Sequence, residues 1–253
     1  VSTALTVVIP ARNAAGTLGD TLASLVGADR LAGVVVVDDG STDGTAALAR
    51  DHGRRLSLPL RVITSHPSLQ LPTGAHRTAE PGPARPAGPA GARNLGASYA
   101  RTVGWGDVFA FLDADDLWCG GRPDPRWGPI DAGASVSVGR SRCVDRSGAE
   151  VGEPFDAFLN GAAFITAACF DAVGGFDASL DGGEELEWYL RATDAGAHVA
   201  WIDDVVLHYR LRPGSVSAGP SARSHGLLTA LHRTIQRRSE AVDAVDGLEA
   251  ARP

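Results

Sequence analysis

Val108-Phe109-Ala110-Phe111-Leu112-Asp113-Ala114-Asp115-Asp116 is an apolar run that ends abruptly in a cluster of carboxylates. The apolar part, rich in aromatic side chains, predicts a buried strand. In open α/β sheets, ligands bind just beyond the carboxyl ends of the strands. Carboxylates gathered there repel one another unless a cation or solvent relieves them. Their hard oxygens suit Mg²⁺ or Mn²⁺, which in turn can hold a diphosphate. Taken alone, the stretch reads equally well as a solvated acidic turn that caps the next element.

Upstream, strand and helix signals alternate. Leu5 to Ile9 is a strand that Pro10 is expected to stop, because proline cannot donate to a ladder. Leu18, Leu22 and Leu25 recur at helical spacing within Thr17 to Val26. Val34 to Val37 is a second buried strand, a helix begins at Thr45, and Leu60 to Ile63 is a third strand. This βαβαβ order predicts a parallel sheet with right-handed crossovers. Pro67 to Pro89 is rich in Pro, Gly and Ala and reads as a long surface loop, either an inert insertion or a lid. Helical character resumes from Ala92 to Val103.

Downstream, Ala134 to Val138 is strand-like, Ala162 to Phe170 reads as a strand running into a helix, and Glu185 to Ala195 is a helix. Val199 to Ile202 and Val205 to Tyr209 are two short strands. Ser221 to Ala241 is a closing helix with Leu227, Leu228, Leu231 and Ile235 on one side. Its Arg223, His225, His232, Arg233, Arg237 and Arg238 suit a solvated face or peripheral contact with an anionic membrane.

Composition narrows the classes. The 253 residues allow a substantial core, and the net charge of −7 argues against a nucleic-acid partner. No apolar run is long enough to span a bilayer, and no secretory signal is read at the start. The chain opens on Val1 and contains no methionine, so loss of an initiator is expected. Cys119, Cys143 and Cys169 are widely spaced and odd in number, which fits a reduced, cytoplasmic protein.

Four more segments carry chemistry. Asp38-Asp39-Gly40-Ser41-Thr42-Asp43-Gly44 follows the second strand; Asp39 can accept from a ribose hydroxyl or a base N–H. Ser41, Thr42 or Asp43 can cap the next helix. Gly91-Ala92-Arg93-Asn94-Leu95-Gly96 reads as a helix start with an arginine, a plausible phosphate site. Gly174-Gly175-Phe176-Asp177 precedes Gly182-Gly183-Glu184-Glu185, where glutamates at a helix N-terminus suit either catalysis or the macrodipole. His208 sits near Arg210 and Arg212 as a metal or phosphate candidate, or as a structural histidine.

In this order, Val8-Ile9-Pro10 with Asn13, the Asp-Asp-Gly-Ser-Thr-Asp turn, Ala92-Arg93-Asn94, Asp113-Ala114-Asp115-Asp116, Gly174-Gly175-Phe176-Asp177 and the acidic helix start resemble the family 2 glycosyltransferases of GT-A fold. The likeness covers roughly residues 4 to 217. It implies a Rossmann-like α/β domain over 1–220, with acceptor-side elements in its second half and a C-terminal helix and tail over 221–253. It also implies inverting transfer of a sugar from a UDP- or dTDP-linked donor to an acceptor hydroxyl, assisted by Mn²⁺ or Mg²⁺.

Carried over by residue, Pro10, Ala11 and Asn13 line the nucleotide pocket, and Asp39 holds the base or ribose. Arg93 lies near the nucleotide, Asp113 faces the ribose, and Asp115 binds the metal, with His208 a neighbouring ligand. The family's base is the Asp of a Glu-Asp pair; here Glu185 stands there, after Glu184. Gly120-Gly121 replaces a common proline, and Arg212 stands where a histidine is frequent. Two other readings remain: a nucleotidyltransferase, although Ile9-Pro10-Ala11-Arg12-Asn13 lacks the glycine-rich loop of that class, and a non-catalytic nucleotide-sugar binder acting as a partner protein.

Overall fold

The computed structural model describes residues 3–65, 87–119, 123–158, 160–180, 182–211 and 234–235. Its first half alternates β1 (Leu5–Ala11), α1 (Leu18–Ser24), β2 (Leu31–Asp38), α2 (Thr45–Arg55), β3 (Leu60–Thr64), α3 (Gly88–Thr102) and β4 (Val108–Phe111). The second half holds β5 (Leu117–Trp118), α4 (Trp127–Asp131), β6 (Val136–Val144), β7 (Glu150–Phe155), β8 (Ala163–Thr166), α5 (Ala167–Val173), α6 (Glu184–Asp194) and β9 (Val199–Arg210). A short 3₁₀ turn, Asn160–Ala162, leads into β8.

The strands form one mixed sheet in the order β3-β2-β1-β4-β8-β6-β9-β5, with β7 paired to β6. β1 through β4 run parallel, as the βαβαβ pattern predicts. β8 then runs antiparallel to β4 and β6. β1, β2 and β4 are buried on both faces, so Val7, Val8, Ile9 and Val34 to Val37 are all fully inaccessible. This is the continuous apolar run expected of a covered parallel sheet. Leu18, Leu22 and Leu25 are fully buried too.

Proline does not stop β1, which continues through Pro10 to Ala11. Val8 accepts from Leu112 of the β4 side, whereas Ala11 accepts from Asp39 on the β2 side. Residues alternate sides in a parallel ladder, so the missing N–H of Pro10 faces the β4 edge. Pairing with β4 ends at Val8–Phe111, so no ladder bond is lost there.

Other boundaries also move. α3 begins at Gly88, not near Ala92, with Pro89 in the first turn, where its missing N–H is tolerated. Most of the expected 67–89 loop and of the 221–241 helix lies outside the described residues. The two short strands expected over 199–209 are one strand, β9, whose register against β6 shifts around Arg140. Gly139 makes that possible: a Cβ there would lie 2.5 Å from Val206 Cγ2. Gly96 likewise lets α3 settle on β1, since a Cβ would meet Val8 Cγ1 at 2.3 Å. Among the described residues, no helix is long and apolar enough to cross a membrane.

Candidate active site

The carboxyl ends of β1, β2 and β4 converge, and their loops are stitched together by side chains. The Asn13 backbone N–H donates to Ser41 Oγ at 3.0 Å, and its Oδ1 accepts from the Thr42 backbone at 2.8 Å. Ala14 N–H donates to Thr45 Oγ1 at 2.8 Å, and Ala15 N–H to Asp43 Oδ2 at 3.0 Å. The Asp38–Gly44 turn is thereby tied to the loop after β1. Asp43 accepts the Thr45 N–H at 3.1 Å, while the N-cap itself is Gly44 in the left-handed region. Pro10, Ala11 and Asn13 thus sit together beside the Asp38–Gly44 turn.

Asp39 is buried at the start of this turn. Its Oδ1 accepts from Ser65 Oγ and from Ala87 N–H at 2.8 Å, and its Oδ2 from Gly88 N–H at 3.0 Å. The carboxylate therefore closes the N-terminus of α3, where the helix dipole favours negative charge. A carboxylate offers about four acceptor positions, and among the described residues three are taken, two on Oδ1 and one on Oδ2.

The β4 aspartates stand in three different environments. Asp113 is 39% exposed at its side chain and accepts from Arg93 Nη2 at 2.6 Å. Asp115 is partly buried in the turn that follows. The loop is anchored to α1 through Thr17 Oγ1, which donates to Ala114 O at 2.8 Å. Asp116 is buried and accepts the Arg210 N–H at 3.0 Å, which ties the loop to the end of β9. Burial, then the charges of Asp113 and Asp115, push its carboxyl well above the ordinary range. Burial is the larger cause, and the neighbouring carboxylates add to it.

Arg93 lies in the second turn of α3, not at the helix start that the sequence suggests. Its Nη1 donates to Glu184 at 2.7 Å, and its Nη2 reaches Asp113 and, at 3.4 Å, Glu185. Burial opposes its charge, but the carboxylates of Asp113, Glu185 and Glu184 outweigh that effect and keep it protonated. The neighbouring Asn94 donates to Phe176 O and accepts from Phe176 N–H, both at 2.8 Å. Gly175 permits that approach, because a Cβ would lie 2.5 Å from Asn94 Oδ1. Phe176 packs edge-on against Phe111 with centroids 5.0 Å apart.

Glu184 and Glu185 open α6 after Gly182 and Gly183, both at positive φ where glycine is favoured. The side chain of Glu185 is 22% exposed and that of Glu184 only 11%. Glu187 faces elsewhere: it accepts both bonds from Arg191 Nε, whose Nη groups hold Val173 O and Gly175 O. His208 pairs in the sheet with Leu117, just after the acidic loop. Its Nε2 lies 3.8 Å from Glu150, and among the described residues no three His, Cys, Asp or Glu side chains gather into a metal cage. Arg210 extends its guanidinium to Asp20 at 3.5 Å. Burial pushes the Cys119 thiol up to about 11, so it is no nucleophile at neutral pH.

Sequence reasoning missed Asp116, Asn94 and the joint engagement of Arg93. The repulsion expected among the aspartates was the available signal for Asp116. Ala92-Arg93-Asn94 stood out as a motif, but the partners of Arg93 and Asn94 lie far along the chain, so their engagements could not be read from it.

This geometry is that of a GT-A domain: a sheet whose acidic strand end faces a second acidic helix start. Residues 6–69 match the family model described as Glycosyl transferase family 2. TarS 1–349 of S. aureus in complex with UDP-GlcNAc is 22% identical with a TM-score of 0.64; the match covers 85% of this chain and 61% of that one. The mannosyltransferase PcManGT of Pyrobaculum calidifontis, in complex with GDP-Man and Mn²⁺, is 17% identical with a TM-score of 0.64, covering 93% and 65%. The chain thus spans less than two thirds of each of these structures. No curated protein matches it. The solved structures share the GT-A fold, and the stretch 6–69 is similar to family 2 glycosyltransferases.

Proposed function

We propose that the chain transfers a sugar from a nucleotide diphosphate donor, UDP- or dTDP-linked, to an acceptor hydroxyl with inversion at the anomeric carbon. The observation that carries this reading is the meeting, through Arg93, of Asp113 at the β4 strand end with Glu184 and Glu185 at the start of α6. A donor-side carboxylate and an accessible candidate base thereby share one site. TarS and PcManGT, which share the fold, are recorded with UDP-GlcNAc and with GDP-Man and Mn²⁺.

Pro10, Ala11 and Asn13 line the nucleotide cleft, Asp39 offers Oδ2 to the base or ribose, and Asp113 faces the ribose. The acidic loop fits a divalent cation: its oxygens are hard donors, and the charges of Asp113 and Asp115 add to burial in raising the Asp116 carboxyl. Asp115 would hold Mn²⁺ or Mg²⁺, with the diphosphate completing the shell, since such ions are commonly bound by one or two carboxylates plus phosphate. When bound, the ion supplies charge neutralisation to the departing diphosphate. Glu185 takes the proton from the acceptor hydroxyl as that oxygen attacks the face opposite the leaving group. One base suffices, because inversion needs no covalent intermediate. Glu185 is one methylene longer than the Asp that relatives carry, and α6 must set its reach.

Calorimetric titration with UDP, dTDP and GDP, with and without Mn²⁺, tests the reading. Metal-dependent binding of a nucleotide by the wild type, lost in Asp115→Asn, is the expected result. Absence of binding under every condition would leave the acidic loops without a donor and overturn it.

A further inference from the structure

Arg93 is the one side chain that touches both acidic elements of the site among the described residues. Its side chain is 3% exposed, deeper than any of its three partners. The fork is split: Nη1 goes to Glu184, while Nη2 is shared between Asp113 and Glu185. The buried Nε has no hydrogen-bond partner, so the carboxylates alone orient the head group. The Phe176 ring lies beneath it, with Cζ 5.9 Å from the centroid. Nε–H and one N–H of Nη1 are not committed to these carboxylates, but the side chain is only 3% exposed, so little of the head group faces the cleft. Asn94, the next residue, holds the backbone of Phe176 ahead of α6. Two consecutive residues of α3 thus grip the donor loop and the approach to the base helix.

We infer that Arg93 is a positioning residue, not a phosphate ligand: it fixes the register between Asp113 on the donor side and Glu185 on the acceptor side, with Glu184 as its buried counter-charge. The inference deepens the transferase reading and rests on it for its kinetic consequences. Glu184 is then no alternative base. Its carboxylate occupies Nη1 and leaves the looser, 3.4 Å contact to Glu185, whose oxygen must be released to an acceptor proton. A lysine would not replace the arginine, because an ammonium is a point charge on a flexible stem and lacks the planar fork that spans two directions.

The test compares wild type, Arg93→Lys and Glu184→Gln for hydrolysis of UDP-GlcNAc and GDP-mannose, for affinity to UDP with Mn²⁺, and for melting temperature. Positioning predicts that Glu184→Gln lowers kcat by about tenfold or more while UDP affinity stays within about threefold, since small misplacements cost rate. Arg93→Lys should lower kcat at least as much, and the double variant should be no slower than Arg93→Lys alone. A phosphate-binding Arg93 behaves otherwise: freeing it in Glu184→Gln would tighten UDP without slowing turnover, and that result overturns the proposal. A fall in melting temperature with kcat intact at low temperature would reduce Arg93 to a stabilising ion pair and overturn it equally. If the wild type hydrolyses neither donor, these sugars are not its donors, and the transferase reading rests on the nucleotide titration alone. The clamp is then judged by NMR, where Arg93 should show resolved Nη–H signals that collapse in Glu184→Gln; averaged signals in the wild type would rule it out.

Discussion

Replacing Glu185 by Gln keeps the size and removes the proposed proton acceptor, so it isolates one step. Turnover should fall by roughly 10²–10⁴-fold, the usual contribution of a general base. Donor affinity should stay nearly unchanged in calorimetry. Undiminished turnover would mean that another group accepts the proton. Asp43 gives a second test, through pH. The Thr45 hydroxyl, then the Ala15 N–H, hold its carboxyl below the ordinary range. A lowered folded-state value contributes stability above the unfolded pKa of about 3.9 and loses it as pH falls through the folded value. Asp43→Asn should therefore melt earlier at neutral pH and show a shallower loss of melting temperature in acid. The difference should be small, because Asp43 is exposed and screened by solvent. At this scale, Asp113 and Asp115 were legible because they follow an apolar strand directly. The engagement of Arg93 was not, since Asp113 lies 20 residues away and Glu184 lies 91 away, a closeness that only the folded topology creates.

α3 carries the coupling between the two halves of the sheet, and the Asn94–Gly175 contact is where that coupling can be measured. Asn94→Ala removes both bonds to the Phe176 backbone and leaves those groups to find other partners, at about 1–3 kcal/mol. Gly175→Ala forces a Cβ to within 2.5 Å of Asn94 Oδ1, an overpacking of about 1–3 kcal/mol. With alanine at 94 that clash disappears. The double variant should thus be more stable than the sum of the two losses implies, by about 0.5 kcal/mol or more in urea melts. Strict additivity would show that the helix and the loop do not meet as described. The elements themselves were readable wherever burial was complete, as in β1, β2 and β4. The merging of β9 was not, because Asp203 and Asp204 interrupt its pattern while the shifted register carries them through as exposed residues. β5 spans only Leu117 and Trp118, and β7 is largely exposed, so neither offers a period to detect.

The whole molecule has a net charge of −7, and it gathers Asp113, Asp115, Asp116, Glu184 and Glu185 on one side of the sheet around a single buried arginine. Under the proposed function, a cation and an anionic nucleotide would stabilise such an arrangement best together. Mn²⁺ alone meets carboxylates that already accept hydrogen bonds, and UDP alone brings more negative charge to an acidic loop. Bound jointly, they neutralise one another and bind the folded state selectively. Linkage then stabilises the fold by about 2.7 kcal/mol when the free ligand is a hundred times its Kd. Differential scanning fluorimetry should show a rise in melting temperature with UDP and Mn²⁺ that exceeds the sum of their separate shifts. A chelator should reverse it, and Asp115→Asn should never show it. Equal shifts with UDP in the presence and absence of Mn²⁺ would mean that the nucleotide is held without the metal, moving the work of charge neutralisation from Asp115 and its ion to the protein's own cations.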